Sequence, residues 1–217
     1  MSMLNLAAFE VTPLQQEPFE YLVVPGFVNP DALEQINRDF PPLQEPRSFF
    51  LEEVTGGPGF QTLIEELQSP AFRQQVEAKF GIDLAGRPIR INVWGYCGKA
   101  NGNIHTDSKT KLITVLLYLN RDWPHEGGRL RVLRSATDLD DYAAEVPPMG
   151  GHLLVFRRSE KSFHGHKPFQ GERRVIQFNW WVDSKRIDSY EDQQHNYAKR
   201  FRKMLKAARR YMTGHAG

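Results

Sequence analysis

The sequence predicts an α+β protein in which helices buttress a β-rich core of sandwich or jelly-roll type. Helix signals with caps and prolines crowd the residues before 89. From Ile89 the texture changes to short runs rich in β-branched and aromatic residues, separated by Gly, Pro, Asn and Asp. At 217 residues, with 40% hydrophobic and 12% aromatic content, the chain suits one domain with a sizeable core and leaves little room for a second.

In chain order, Tyr21 to Val24 is extended. Asn29-Pro30-Asp31 then offers a cap and an initiating proline before a helix over Ala32 to Phe40, which Pro41-Pro42 ends. Thr62 to Gln68 and Ala71 to Phe80 read as two more helices, the second opened by Ser69-Pro70 and closed by Gly81. Five strands follow, over Ile89 to Tyr96, Leu112 to Leu119, Arg129 to Leu133, His152 to Phe156 and Arg173 to Val182. The organisation is thus a single domain over 1–217: a helical part (1–88), a β core (89–183) and a basic terminal helix (190–213).

Charge is unevenly spread. Residues 193–217 hold seven basic residues and no acid, although the net charge of the whole chain is only +2. Tyr197, Phe201, Met204, Leu205, Ala208 and Met212 recur there at helical spacing, which describes an amphipathic helix packed on the domain. No aromatic-interleaved basic groove accompanies it, so a nucleic-acid partner, and with it a nucleic-acid oxygenase, has that tail alone as support. No run reaches about 18 consecutive apolar residues and Met1 to Glu10 lacks a basic, apolar leader, so no membrane span is expected. The single cysteine, Cys97, cannot form an intramolecular disulfide, and the expected location is cytoplasmic.

The chemistry-bearing residues lie in the β-rich part. On an extended backbone, residues two apart share a face, so His105 and Asp107 could both reach one metal. A further histidine would complete a 2-His-1-carboxylate set, which suits Fe(II) and leaves positions open for an oxygen-donor co-substrate and dioxygen. His164 and His166, in Ser162-Phe163-His164-Gly165-His166, compete for that role; the spacing to Arg173 and the preceding aromatic favour His164. Along the last strand, Arg173 shares a face with Val175, Gln177 and Asn179, and Arg174 with the apolar Ile176, Phe178 and Trp180. A pocket for a dicarboxylate needs a guanidinium beside polar groups, so Arg173 is the inward candidate. Arg174 is expected to snorkel from beneath a covering helix.

Taken in order, His105-x-Asp107, Tyr118-Leu119-Asn120-x-Asp122-Trp123, Gly127-Gly128-x-Leu130, Leu153 to Phe156, His164-x-x-x-Pro168 and Gly171-x-Arg173 resemble the 2-oxoglutarate- and Fe(II)-dependent dioxygenases, in particular their prolyl-4-hydroxylase-like branch. The resemblance covers roughly Arg90 to Val182. It implies a double-stranded β-helix (jelly roll) core, Fe(II) held by His105, Asp107 and His164, and 2-oxoglutarate and dioxygen as co-substrates. It also implies that Arg173 pairs with the far carboxylate of 2-oxoglutarate, with Tyr118 and Tyr96 as pocket tyrosines. Many members of the family space the last histidine and the arginine by ten residues, the position of Arg174, whereas Arg173 follows by nine. Strand parity adds Thr114 to the co-substrate side, and Asn92, Trp94, Gln177 and Asn179 as candidates for lining the substrate site.

The resemblance implies hydroxylation of an unactivated C–H bond in a protein side chain, prolyl in the most similar branch, or in a small molecule, with release of succinate and CO2. Fold resemblance does not fix the substrate. The rival reading is a non-catalytic jelly-roll module that binds a metal or ligand without turnover. The glycine- and asparagine-rich stretch Gly98 to Asn103 reads either as a mobile lid or as a plain connecting turn.

Overall fold

The architecture was established from a computed structural model, which describes residues 2–185. The basic helix expected over 190–213 lies outside the described residues. Four helices, α1 (Leu6–Val11), α2 (Pro30–Asp39), α3 (Pro58–Leu67) and α4 (Pro70–Phe80), precede most of the strands. The strands are β1 (Tyr21–Val24), β2 (Phe49–Phe50), β3 (Ile89–Cys97), β4 (Lys111–Tyr118), β5 (Leu130–Leu133), β6 (Tyr142–Val146), β7 (Leu153–Arg157), β8 (His164–Gly165) and β9 (Gly171–Trp181).

Local chemistry explains the helix ends. The Ser69 hydroxyl accepts the Phe72 N–H at the start of α4, Pro70 occupies the first turn, and Gly81 closes the helix in the left-handed region. Helix α3 begins four residues before the expected Thr62, because Pro58 takes the first helical position, where its missing N–H costs nothing. Asn29 stands at the start of α2 in extended conformation but does not cap it; its side-chain amide donates to the Ser2 carbonyl instead.

The strands form a six-stranded antiparallel sheet, ordered β1-β7-β4-β9-β3-β2, and a three-stranded sheet, ordered β6-β5-β8. This is the jelly-roll core expected from the sequence, with β1 and β2 contributed by the helical first part as the two edges of the large sheet. Alternation along β4 separates two apolar layers. Ile113, Val115 and Leu117 pack with Phe9, Phe72 and Phe178 under the helices. Leu116 and Tyr118 face the small sheet beside Val132 and Val175. Irregularities interrupt the ladders between Lys111 and Ile113 (β4–β9), between Trp94 and Tyr96 (β3–β9) and between Val132 and Leu133 (β5–β6).

No helix among the described residues is long and apolar enough to cross a membrane. The helical layer is anchored by Phe72 of α4, fully buried with ring centroids 5.6 to 6.4 Å from those of Phe9, Phe27, Phe178 and Trp180. Phe72→Ala is expected to lower unfolding stability by about 3–5 kcal/mol, measured by urea denaturation. A loss below about 1 kcal/mol would mean that the helices are not locked to the sheet through this ring.

Candidate active site

Between the two sheets lies a cavity of about 400 Å³. His105 and His164 meet across it because their backbones exchange two hydrogen bonds, His105 N–H to His164 O at 3.1 Å and His164 N–H to His105 O at 3.0 Å. Such a pair places both side chains on one face of the ladder. The rings lie 4.4 Å apart between centroids. Each Nδ1 is engaged by a backbone carbonyl, that of Asn103 at 2.8 Å for His105 and that of Ser162 at 2.9 Å for His164. Nδ1 therefore carries the proton, and Nε2 keeps its lone pair for a ligand. The Asp107 carboxylate completes the group: one donor atom from each of His105, Asp107 and His164 lies within 4.8 Å of the others.

Asp107 is held on both oxygens. Lys111 Nζ donates to Oδ1 at 2.7 Å, and Thr114 Oγ1 donates to Oδ2 at 2.6 Å. Burial alone would push this carboxyl up. The charges of Lys111 and His164 and the hydrogen bonds from Lys111 and Thr114 outweigh it, holding Asp107 well below the usual carboxylate range. His164 is shifted the other way from its ordinary value. Burial lowers it, Asp107 opposes, and the result is about 4, so the imidazole is neutral at pH 7.

Beyond Leu116 and Gln177 the cavity is walled by Tyr118, Arg173, Cys97 and His166. Arg173 Nε donates to the Gly128 carbonyl at 2.9 Å, fixing the guanidinium 5.3 Å from the centre of the Tyr118 ring. The Tyr118 hydroxyl, fully buried, faces that guanidinium without a well-formed hydrogen bond. Burial, partly offset by Arg173, pushes its ionisation up to about 12, so the phenol remains a donor. A cationic fork beside an unsatisfied buried phenol offers donors of the kind a carboxylate accepts. Cys97 lies with Sγ 4.0 Å from His166 Nε2, its thiol pushed up by burial.

The remaining candidates are distributed around this frame. Tyr96, Trp94 and Gln177 line the cavity, whereas Asn92, Thr114 and Asn179 are not in its wall. The Thr114 hydroxyl is spent on Asp107 and contacts Asn179 Oδ1 at 3.1 Å. Arg174 is on the other side of the sheet, donating to the backbone and side-chain oxygens of Asn37 in α2 and lying over Phe40. His166 is absent from the His105–Asp107–His164 group; it bonds the Lys167 carbonyl through Nδ1 and its ring packs on Gly102. A Cβ at Gly102 would come within 2.3 to 2.5 Å of that ring, and φ is +89° there, so only glycine fits the position.

Reading by parity passed over Lys111. By simple alternation it belongs with Ile113 and Val115 on the helix side, but the irregularity after it inserts Leu112 and turns it into the cavity. The four-residue interval from Asp107 is the one sequence signal for the pair.

His164 and His166 are both held at about 4, below the ordinary histidine value of 6.5, chiefly by burial. Below that value the unfolded chain takes up protons that the fold refuses. Stability of the metal-free protein is therefore full above about pH 6.5 and is lost as pH falls toward about 4, on the order of 2–3 kcal/mol for each histidine. Melting temperatures between pH 7.5 and 4.5 check this. The His164→Gln/His166→Gln variant should show a shallower fall than the parent chain, and an equal fall would refute the assignment.

Residues 91–182 match the family described as the 2OG-Fe(II) oxygenase superfamily. None of the curated proteins matches the sequence. Among solved structures, a Pseudomonas putida prolyl-4-hydroxylase is similar at 18% identity and TM-score 0.51, over 81% of this chain and 90% of that one. A Burkholderia pseudomallei oxidoreductase of the 2OG-Fe(II) oxygenase family is similar at 14% identity and TM-score 0.55, over 82% and 89%. A Trichoplax adhaerens prolyl hydroxylase, in complex with a hypoxia inducible factor peptide fragment, is similar at 14% identity and TM-score 0.50, over 85% and 90%. At these identities the likeness is one of fold. The matched segment contains His105, Asp107, His164, Tyr118 and Arg173, and similarity to this family implies Fe(II), 2-oxoglutarate and dioxygen as the reacting partners.

Proposed function

We propose that His105, Asp107 and His164 hold Fe(II) as a facial triad, and that Arg173 and Tyr118 hold the far carboxylate of 2-oxoglutarate. On this reading the protein hydroxylates an unactivated C–H bond of a protein side chain, prolyl in character, or of a small molecule. The observation that carries it is one continuous cavity with the three donor atoms on one side and the Arg173–Tyr118 receptor on the other. A module that only bound a metal would have no need of both.

When bound, iron and 2-oxoglutarate supply the oxidising chemistry that places one oxygen atom of dioxygen on carbon, with succinate and CO2 released. The chain's own contribution is positioning and shielding. The carbonyls of Asn103 and Ser162 fix the tautomers of both histidines, so that each presents Nε2. Lys111 and Thr114 fix the plane of the Asp107 carboxylate. Gly128, through its carbonyl, aims Arg173, and Leu116, Leu130 and Val175 give the cavity dry walls. The protein-substrate reading is supported by the fold shared with the Trichoplax adhaerens enzyme, which is in complex with a peptide. A single, buried cysteine supports a cytoplasmic, reducing location.

Anaerobic addition of Fe(II) and 2-oxoglutarate is expected to give a metal-to-ligand charge-transfer band, and admission of air to give succinate. No band and no succinate from folded protein would sink the reading. Arg173→Ala should raise the KM for 2-oxoglutarate by about 10- to 100-fold, while Arg174→Ala, which loses contacts to α2, should leave that KM unchanged and lower stability. The reverse pattern would transfer the anchor to Arg174.

A further inference from the structure

The Lys111–Asp107 pair is unusual for its setting. Both side chains are only 6% exposed, and the ammonium lies 2.7 Å from Oδ1 and 5.8 Å from the centre of the Trp181 ring. Among the described residues that line the cavity Asp107 is the one acid, whereas Lys111 and Arg173 are both cationic. A divalent ion on Asp107 would therefore share one carboxylate with a buried ammonium, in surroundings where charges are weakly screened.

We propose that Lys111 is a placeholder cation: in the metal-free protein it neutralises and orients Asp107, and it opposes the incoming metal, so that this lysine sets the metal affinity of the site. The inference rests on the iron site proposed above. Two features beyond the ion pair carry it. The β4 irregularity aims Lys111 inward against the strand's alternation, at a position where an apolar residue would continue the helix-side layer. Asp107 also does not need the lysine for its orientation once a metal is present, because Thr114 holds Oδ2. The Thr114 hydroxyl has one proton, which the shorter, charged contact at 2.6 Å claims in preference to Asn179 Oδ1 at 3.1 Å. Thr114 thus holds Asp107 independently of Lys111. With the metal bound, removal of Lys111 takes away a repulsion and leaves the carboxylate placed.

The test uses the full-length protein and Mn(II) alone, following the free ion by electron paramagnetic resonance. Lys111→Met is expected to bind Mn(II) about tenfold more tightly than the parent chain. It should also melt lower without metal and show a larger rise in melting temperature on adding Mn(II). Lys111→Arg, which keeps the charge, should bind within about twofold of the parent. Unchanged or weaker binding by Lys111→Met overturns the proposal, since a purely structural lysine would strengthen the site or leave it alone. If Lys111→Met does not fold without metal, recovery on refolding in Mn(II) supports the proposal and failure to recover overturns it. An absence of Mn(II) binding by the parent chain itself would count against the iron site, not against the role of the lysine within it.

Discussion

Two backbone hydrogen bonds between His105 and His164 join parts of the chain that are distant in sequence, and the site's geometry follows from them. Exchange of both N–H···O bonds fixes spacing and facing together, which side-chain contacts alone would leave adjustable. One side of the bridge is held by β5, where Val132 pairs with His164 and Arg131 with Gly165. The other side is held by the close passage of Gly165 past Gly102, where a Cβ at Gly165 would stand 2.8 Å from the Gly102 carbonyl oxygen. Two backbones can run this near each other only where no side chain intervenes. The small sheet, although short, thereby positions the chemistry.

Electrostatics then divides the cavity. Near the bridge, burial keeps the His164 imidazole neutral at pH 7, while Lys111 and Thr114 keep Asp107 ionised. Metal uptake at these two residues needs no prior loss of protons. At the other end the balance is reversed. Arg173 is charged and Tyr118 stays a phenol to about 12, giving donors without acceptors. A dianion with a chelating head and a distant carboxylate matches both halves in turn.

Much of this was legible in the sequence where periodicity was long and strong. Strands β4 and β9 announce themselves through β-branched and aromatic runs, and the polar face of Arg173, Val175 and Gln177 against the apolar face of Ile176, Phe178 and Trp180 separates the two arginines correctly by side of the sheet. Short elements gave no such signal. Two-residue β8 is too brief to show a period, and α1, with six residues, is held by its Asn5 cap and by the burial of Phe9 more than by any pattern of its own. Thr114 was legible as facing inward, but its partner Asp107 lies around a turn on a different segment, so its bond could not be read from parity. The same limit hid Lys111, whose direction is set by an irregularity that residue types do not advertise.

That irregularity makes Lys111 a residue placed by counting. Its aim depends on Leu112 being bulged out of the ladder between the Lys111–Trp181 and Ile113–Trp180 pairs, not on any preference of lysine for the position. In a related chain of equal length whose strand stays regular here, the amino acid aligned with Lys111 would point among the helices, and the side chain performing its task would sit at the position aligned with Leu112. Column-by-column comparison of such chains would register a substitution where the physical difference is a shift of register.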